Sequence, residues 1–257
     1  MSSDNEWSAD ELLPPISHPN DPRGASSNLL LRKHLTDVGT RAIEFACNIE
    51  PSSQRALQIA AKLHDFGKIT PAFQRYVRPE YWHDGPSWER HHARLGAFAT
   101  FYALKKFSID NPDLVAATLA VARHHGSVPD VIPYLKEDVL EYERSNTHVI
   151  QQVRSIDQTW PDAADELLST VTNGAIGWAG LRDTILSGEL LKKLEDAISV
   201  TDERFGVSEI STAAIPEETY DRFYRFWSAI SFADKTHAAG ITEYQPQPFE
   251  KPLHRLT

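Results

Sequence analysis

The 257-residue sequence contains a single cysteine, Cys47. That excludes an intramolecular disulfide and a cysteine-based zinc cage. No apolar run approaches the roughly 18 residues that a membrane span requires, so no membrane association is expected. The opening stretch MSSDNEWSADELLPP is acidic and polar, whereas a secretory signal is basic and then apolar. Together these absences point to a cytoplasmic protein. A basic surplus is also missing: 26 Lys and Arg against 36 Asp and Glu leave a net charge of −10. Bulk electrostatics therefore cannot hold this chain on nucleic acid, and any such binding needs a local basic patch. No G-x-x-x-x-G-K-[ST] phosphate loop occurs, so ATP-driven unwinding is not expected from these residues. Internal repeats, low-complexity runs and alternating β-branched strands are lacking as well.

What remains is helical. Residues 1–27 are rich in Pro, Ser, Asp and Asn and are expected to be a loose leader. Residues 28–240 are expected to form one all-α domain, followed by a tail over 241–257. The stretch 53–64 puts Ala56, Ile59, Ala60 and Leu63 on one face, with Gly67 placed as a C-terminal cap. Helices are predicted over 91–106 and over 113–125, the latter opened by Pro112 and closed by Gly126. Weaker helical patterns run over 133–158 and 162–173. Residues 217–239 form a strong amphipathic pattern with Phe223, Phe226, Trp227, Ile230 and Ala233 inward. Segment 201–216 reads as a loop.

Eleven histidines are present, and their positions are informative. His34 lies in an early helix, and His64 and Asp65 end the next. His91 and His92 open another, His124 and His125 end the one after, and Asp234 sits in the late helix. Side chains at the ends of different helices can converge on one end of a bundle. Imidazole and carboxylate together suit first-row transition metals, and an aspartate can bridge two ions that clamp a phosphoryl displacement. Each element alone has a plainer reading. A His-Asp pair at a helix end can be a cap, paired histidines can offset a helix dipole, and Lys68 can do the same as a solvated cation. Asp234 alone reads as a surface acid.

The ordered set H…HD…H…HH…D resembles the HD metal-dependent phosphohydrolase superfamily. In particular, LHDFGKITPAFQ, HHARLGA, VARHHG and ADKTHA resemble the HD nuclease of type I CRISPR systems, in the stand-alone form that works beside a separate helicase. The resemblance runs from about residue 28 to 240. It implies a single helical HD domain with a metal site at converging helix ends. His34, His64, Asp65 and Asp234 would hold one ion, and Asp65 would bridge to a second held by His92, His124 and His125. His92 is preferred because Gly96 then takes the small position four residues on; His91 stands as the alternative. Lys68 would act with Asp65 in catalysis by stabilising phosphate charge. The nitrogen-rich shell favours Mn, Ni, Co, Fe or Zn over Mg.

The activity implied is endonucleolytic cleavage of single-stranded DNA by two-metal hydrolysis in CRISPR interference. A separate DNA helicase subunit and a CRISPR surveillance complex are the implied partners. Arg94 and Arg123 are candidate substrate contacts, with Arg75, Arg78 and Arg90 nearby, and Trp82 and Trp88 could meet a strand. An HD-type nucleotide phosphohydrolase or cyclic-nucleotide phosphodiesterase would use the same site on a small substrate. A non-catalytic, metal-stabilised adaptor for a helicase would use it only structurally. His18, His83, His148, His237 and His254 match no motif and read as surface or loop residues.

Overall fold

A computed structural model describes residues 13–19, 28–46, 49–78, 85–109, 111–126, 142–203 and 217–241. Cys47, Trp82, His83, His254, the first part of the 133–158 pattern, residues 204–216 and nearly all of the tail lie outside them. The described residues form ten α-helices and a single two-stranded sheet, the all-α fold expected. The helices are α1 (Leu31–Phe45), α2 (Pro51–Leu63), α3 (Pro71–Tyr76), α4 (Ala93–Lys106) and α5 (Asn111–Arg123). They continue with α6 (Tyr142–Thr159), α7 (Pro161–Thr172), α8 (Trp178–Leu186), α9 (Glu189–Glu203) and α10 (Glu217–Ala238). No helix among them is long and apolar enough to cross a membrane.

Local chemistry accounts for the boundaries. Proline opens α2, α3 and α7, where its missing N–H costs no helical bond. Thr70 caps α3 by accepting from the Phe73 N–H at 3.4 Å. At the end of α7 the chain turns through Asn173 (φ 55°) and Gly174 (φ 75°). Helices α8 and α9 have no counterpart in the sequence reading. The first spans nine residues and opens at Gly177 without a side-chain cap, so neither length nor punctuation announces it.

Helices α1, α2, α4, α5 and α10 pack on one another around the core. Every residue from Leu95 to Leu104 and from Asp113 to Val121 is buried, which places α4 and α5 at the centre. Leu35, Leu57, Leu63, Phe101, Leu119 and Phe226 are all within 1% of complete burial. Each such side chain contributes about 1.5–3 kcal/mol of transfer free energy. The inward face expected for the last helix holds: Phe223, Phe226, Ile230 and Ala233 are core residues. A polar tie crosses this core, where Asp113 on α5 accepts from Arg222 of α10 (2.6 Å) and Ser53 of α2 (3.0 Å).

The 1–27 leader is not loose throughout. Strand β1 (Ile16–His18) pairs antiparallel with β2 (Leu29–Leu30), and Ile16 and Ser17 are buried. Gln74 fastens β1 to the domain. It accepts from the Ile16 N–H (2.9 Å) and donates to the carbonyls of Ile16 (2.9 Å) and Lys68 (2.7 Å). Arg78 donates to Gln74 Oε1 (2.6 Å) and to the Pro14 carbonyl (3.1 Å). The Ile16 and Pro14 groups lie 58 and 64 residues from Gln74 and Arg78, beyond the reach of a local reading.

Candidate metal centre

Helix α2 ends at His64 and Asp65, and a 3₁₀ turn over Phe66–Ile69 follows. Phe66 and Ile69 are fully buried, and the Trp160 indole donates to the Ile69 carbonyl at 3.0 Å. Gly67 is not the left-handed cap expected of it; it lies within the 3₁₀ turn. Its role is space: a Cβ there would stand 2.3 Å from the His92 carbonyl oxygen. Gly96 is the reciprocal case, since a Cβ on it would stand 2.3 Å from the His64 carbonyl oxygen. The two glycines let the His-Asp turn and the start of α4 meet backbone to backbone.

On the opposite side α5 stops at Arg123, and His124–His125 form the turn beyond it. Carbonyls at a helix end lack helical donors. Here α10 supplies them: Trp227 donates to the Arg123 carbonyl (3.0 Å) and Ser231 to that of His124 (3.1 Å). The same helix carries Asp234 inward.

Asp65 is the hub. Its Oδ1 lies 3.1 Å from His92 Nε2, 3.2 Å from His124 Nε2 and 3.8 Å from His125 Nε2. Its Oδ2 lies 3.2 Å from His34 Nε2, 3.4 Å from His64 Nε2 and 2.6 Å from Lys68 Nζ. Asp234 Oδ1 completes the second set at 3.2 Å from His34 Nε2 and 3.6 Å from His64 Nε2. Two groups of potential ligands thus share Asp65, and within each the donor atoms lie within 4.8 Å of one another. All the residues that the resemblance marks as ligands converge here. His91 does not: it is exposed, its backbone N–H donates to the Trp88 carbonyl at 3.0 Å, and its own carbonyl accepts from Gln152 at 2.6 Å.

The rings are oriented for ligation. His64 Nδ1 sits 2.8 Å from the Ala61 carbonyl, His124 Nδ1 2.6 Å from that of Val121, and His92 Nδ1 3.3 Å from that of Arg90. A carbonyl only accepts, so each Nδ1 carries a proton, which leaves Nε2 as the nitrogen free to face a metal in the centre. The buried His64 Nε2 makes no hydrogen bond, although two carboxylates lie 3.4 and 3.6 Å away. An inward-facing orphan nitrogen between carboxylates suits a divalent cation bound by nitrogen and oxygen donors. The donor set fits a metal.

Electrostatics agree. Burial acts to raise Asp65, yet His64, Lys68 and His92 outweigh it and hold the carboxyl well below the usual carboxylate range. Burial also acts upward on Asp234, where the neighbouring His34 and His64 prevail and lower it. Burial lowers His124 to about 4 and lowers His92 as well. For His64 burial is outweighed by Asp65 and Asp234, which raise it to about 10. In the absence of a metal, that proton offsets the excess of carboxylate charge.

Access is one-sided. His34, His64 and His124 have fully buried side chains, whereas His92 is 14% and His125 47% exposed. Those two rings border a cleft of about 530 Å³ whose walls include Trp88, Arg90, Arg94 and Arg123. Arg78, grouped with these arginines by sequence proximity, is instead buried in its bonds to Gln74 and Pro14. His148, set among surface histidines, stacks on Trp88 at 4.2 Å with the rings 4° from parallel.

Two further histidines, which match no sequence motif, stand at the centre. His18, on β1, meets the His34 ring edge-on at 5.6 Å, and burial lowers it to about 4. His237, on α10, is buried with Nδ1 3.0 Å from His34 Nδ1. The signal for His237 was its spacing: it follows Asp234 by three residues and so shares its helix face.

Comparison with known proteins identifies a family. The family model described as "Cas3, HD domain" matches residues 4–195. The "CRISPR-associated nuclease/helicase Cas3" of Haloferax volcanii is 38% identical over 228 residues, covering 88% of this chain and 24% of that protein. The chain therefore spans about a quarter of the length of that relative. No solved structure matches. On the match of the family model across most of its length, this chain belongs to the Cas3 HD-domain family.

Proposed function

We propose that this chain is a metal-dependent endonuclease that cleaves single-stranded DNA in CRISPR interference. The observation that carries the reading is the division of Asp65: one oxygen faces His92, His124 and His125, the other His34 and His64. His34, His64, Asp65 and Asp234 would hold one ion, and Asp65, His92, His124 and His125 a second. When bound, such a pair neutralises charge on a phosphodiester and activates water near neutral pH. The preponderance of imidazole favours Mn, Ni, Co, Fe or Zn over Mg.

The protein's own groups do the rest. Lys68, 2.6 Å from Asp65 Oδ2 and also bonded to Ser17 Oγ at 3.3 Å, is fixed beside the carboxylate that the two sites would share. Its ammonium is positioned to stabilise negative charge on the phosphate. The strand reaches the centre past His92 and His125, with Arg94 and Arg123 on its phosphates and Trp88 beside a base. These arginines supply the local positive charge that a chain of net charge −10 otherwise lacks. A DNA helicase on a separate chain supplies the single strand, and a CRISPR surveillance complex selects the target. The name of the relative, a CRISPR-associated nuclease/helicase, joins the two activities in one protein and so supports a nuclease working with a helicase, whichever chain carries it.

The cleft could also take a single nucleotide, the substrate class of the wider HD superfamily. Incubation with circular single-stranded DNA and Mn, Ni, Co or Mg, beside Asp65→Ala and His124→Ala, separates the two. Linearisation by the unaltered protein, absent in both variants, is expected. Hydrolysis of free nucleotides with the circle left intact would overturn the endonuclease reading.

A further inference from the structure

Helices α1 and α10 carry the same pair of residue types at the same spacing in opposite order. His34 precedes Asp37 by three residues, and Asp234 precedes His237 by three. Three residues is nearly one helical turn, so each pair lies along one face. His34 and Asp234 meet at the metal centre, 3.2 Å apart. Behind them, His237 bridges between the helices: its Nδ1 is 3.0 Å from His34 Nδ1 and its Nε2 is 2.9 Å from Asp37 Oδ2.

We propose that Asp37 and His237 are positioning residues that fix the tautomer and ring orientation of His34 and thereby set metal affinity at its site. The inference rests on the metal-centre reading above. The Asp37 carboxylate accepts, so His237 carries its proton on Nε2. A neutral imidazole then presents Nδ1 as an acceptor, and the nitrogen facing it, His34 Nδ1, must donate. His34 Nε2 is left with its lone pair directed between Asp65 and Asp234. Lys33 anchors the outer end, with Nζ 2.8 Å from the same Asp37 oxygen.

The need for such a device follows from where His34 sits. His64 and His124 lie at helix ends, where the carbonyl three residues back accepts from Nδ1; that of Val121 also takes the His124 N–H, at 3.4 Å. His34 is the fourth residue of α1, and the carbonyls behind it are taken up by the helix. Its orienting partner has to come from another helix, and α10 provides one in the turn after Asp234. Partners of this kind are typically worth about tenfold to a hundredfold in metal affinity.

The test is Co(II) titration of the full chain, followed by visible absorption and calorimetry, with melting of the metal-free variants as a fold control. The unaltered protein is expected to bind Co(II) at the centre. His237→Leu should weaken one class of site by about tenfold to a hundredfold and leave the other unchanged. His237→Gln, whose amide can accept from His34 and donate to Asp37, should recover most of the loss. Asp37→Ala, at a partly exposed position, should weaken the same class by less and decides the matter if His237→Leu does not fold. Unchanged Co(II) affinity in the folded variants, or a loss in His237→Gln as large as in His237→Leu, would overturn the relay. Absence of Co(II) binding by the unaltered protein would overturn the metal-centre reading and the relay with it.

Discussion

Gly96 touches the His64 backbone so closely that a methyl group on Gly96 would sit 2.3 Å from the His64 carbonyl oxygen. Backbone cannot yield as a flexible side chain can. Gly96→Ala and Gly67→Ala should therefore each cost about 1–3 kcal/mol by overpacking and lower metal affinity with it. Gly126→Ala is the control, because a Cβ there meets nothing closer than 3.5 Å. Thermal unfolding with and without Mn checks all three; equal melting temperatures would contradict the packing argument.

Lys68 should separate catalysis from metal binding. Its ammonium pairs with Asp65 Oδ2 at 2.6 Å and competes there with an incoming cation. Lys68→Ala is expected to bind Mn as tightly as the unaltered protein or more tightly. It should cut DNA about a hundredfold more slowly, the scale of a lost charge-stabilising group. Metal titration and single-turnover cleavage on the same preparation give both numbers.

The metal-free protein should be most stable near pH 6.5. His18 and His124 have folded-state values near 4, below the unfolded value of about 6.5. The unfolded chain binds more protons between those values, so stability falls as pH drops from about 6.5 to about 4. His64 is raised to about 10, so its contribution is complete below about 6.5 and is lost as pH climbs toward 10. Melting temperatures from pH 4 to 10 check both limbs, and His124→Asn should flatten the acid one.

The cleft arginines and Trp88 should affect DNA and not metal. Arg94→Ala, Arg123→Ala and Trp88→Ala are each expected to weaken single-stranded DNA binding by about tenfold, in line with about 1–3 kcal/mol per stacked base. Metal affinity should stay unchanged. Fluorescence anisotropy on an Asp65→Ala background reads binding without cleavage.

The centre was legible wherever the candidate ligands occupy helix ends. His64–Asp65 and His124–His125 are adjacent in sequence and sit where helical periodicity stops, so composition and pattern coincide. His92 was separable from His91 through Gly96, although the reason is close backbone contact, which only the fold reveals. Gly67 misled for the same reason: a glycine after a helix suggests a left-handed cap, whereas here it makes room for His92. His237 and His18 were passed over because their value lies in contacts with His34 across 203 and 16 residues of sequence. Arg78 is one of the basic residues near the motifs in sequence, but its bonds to Gln74 and Pro14 place it inside. Polar ties of this length leave no periodic trace, which is also why β1 was read as loose chain.

The shared role of Asp65 is tested most directly by counting metal. After loading with Mn and removal of free ion, elemental analysis should find about two ions per chain. His34→Ala and His92→Ala should each retain about one, and Asp65→Ala close to none. An Asp65→Ala protein that still holds about two ions would contradict the account, because no bridging carboxylate would then be required.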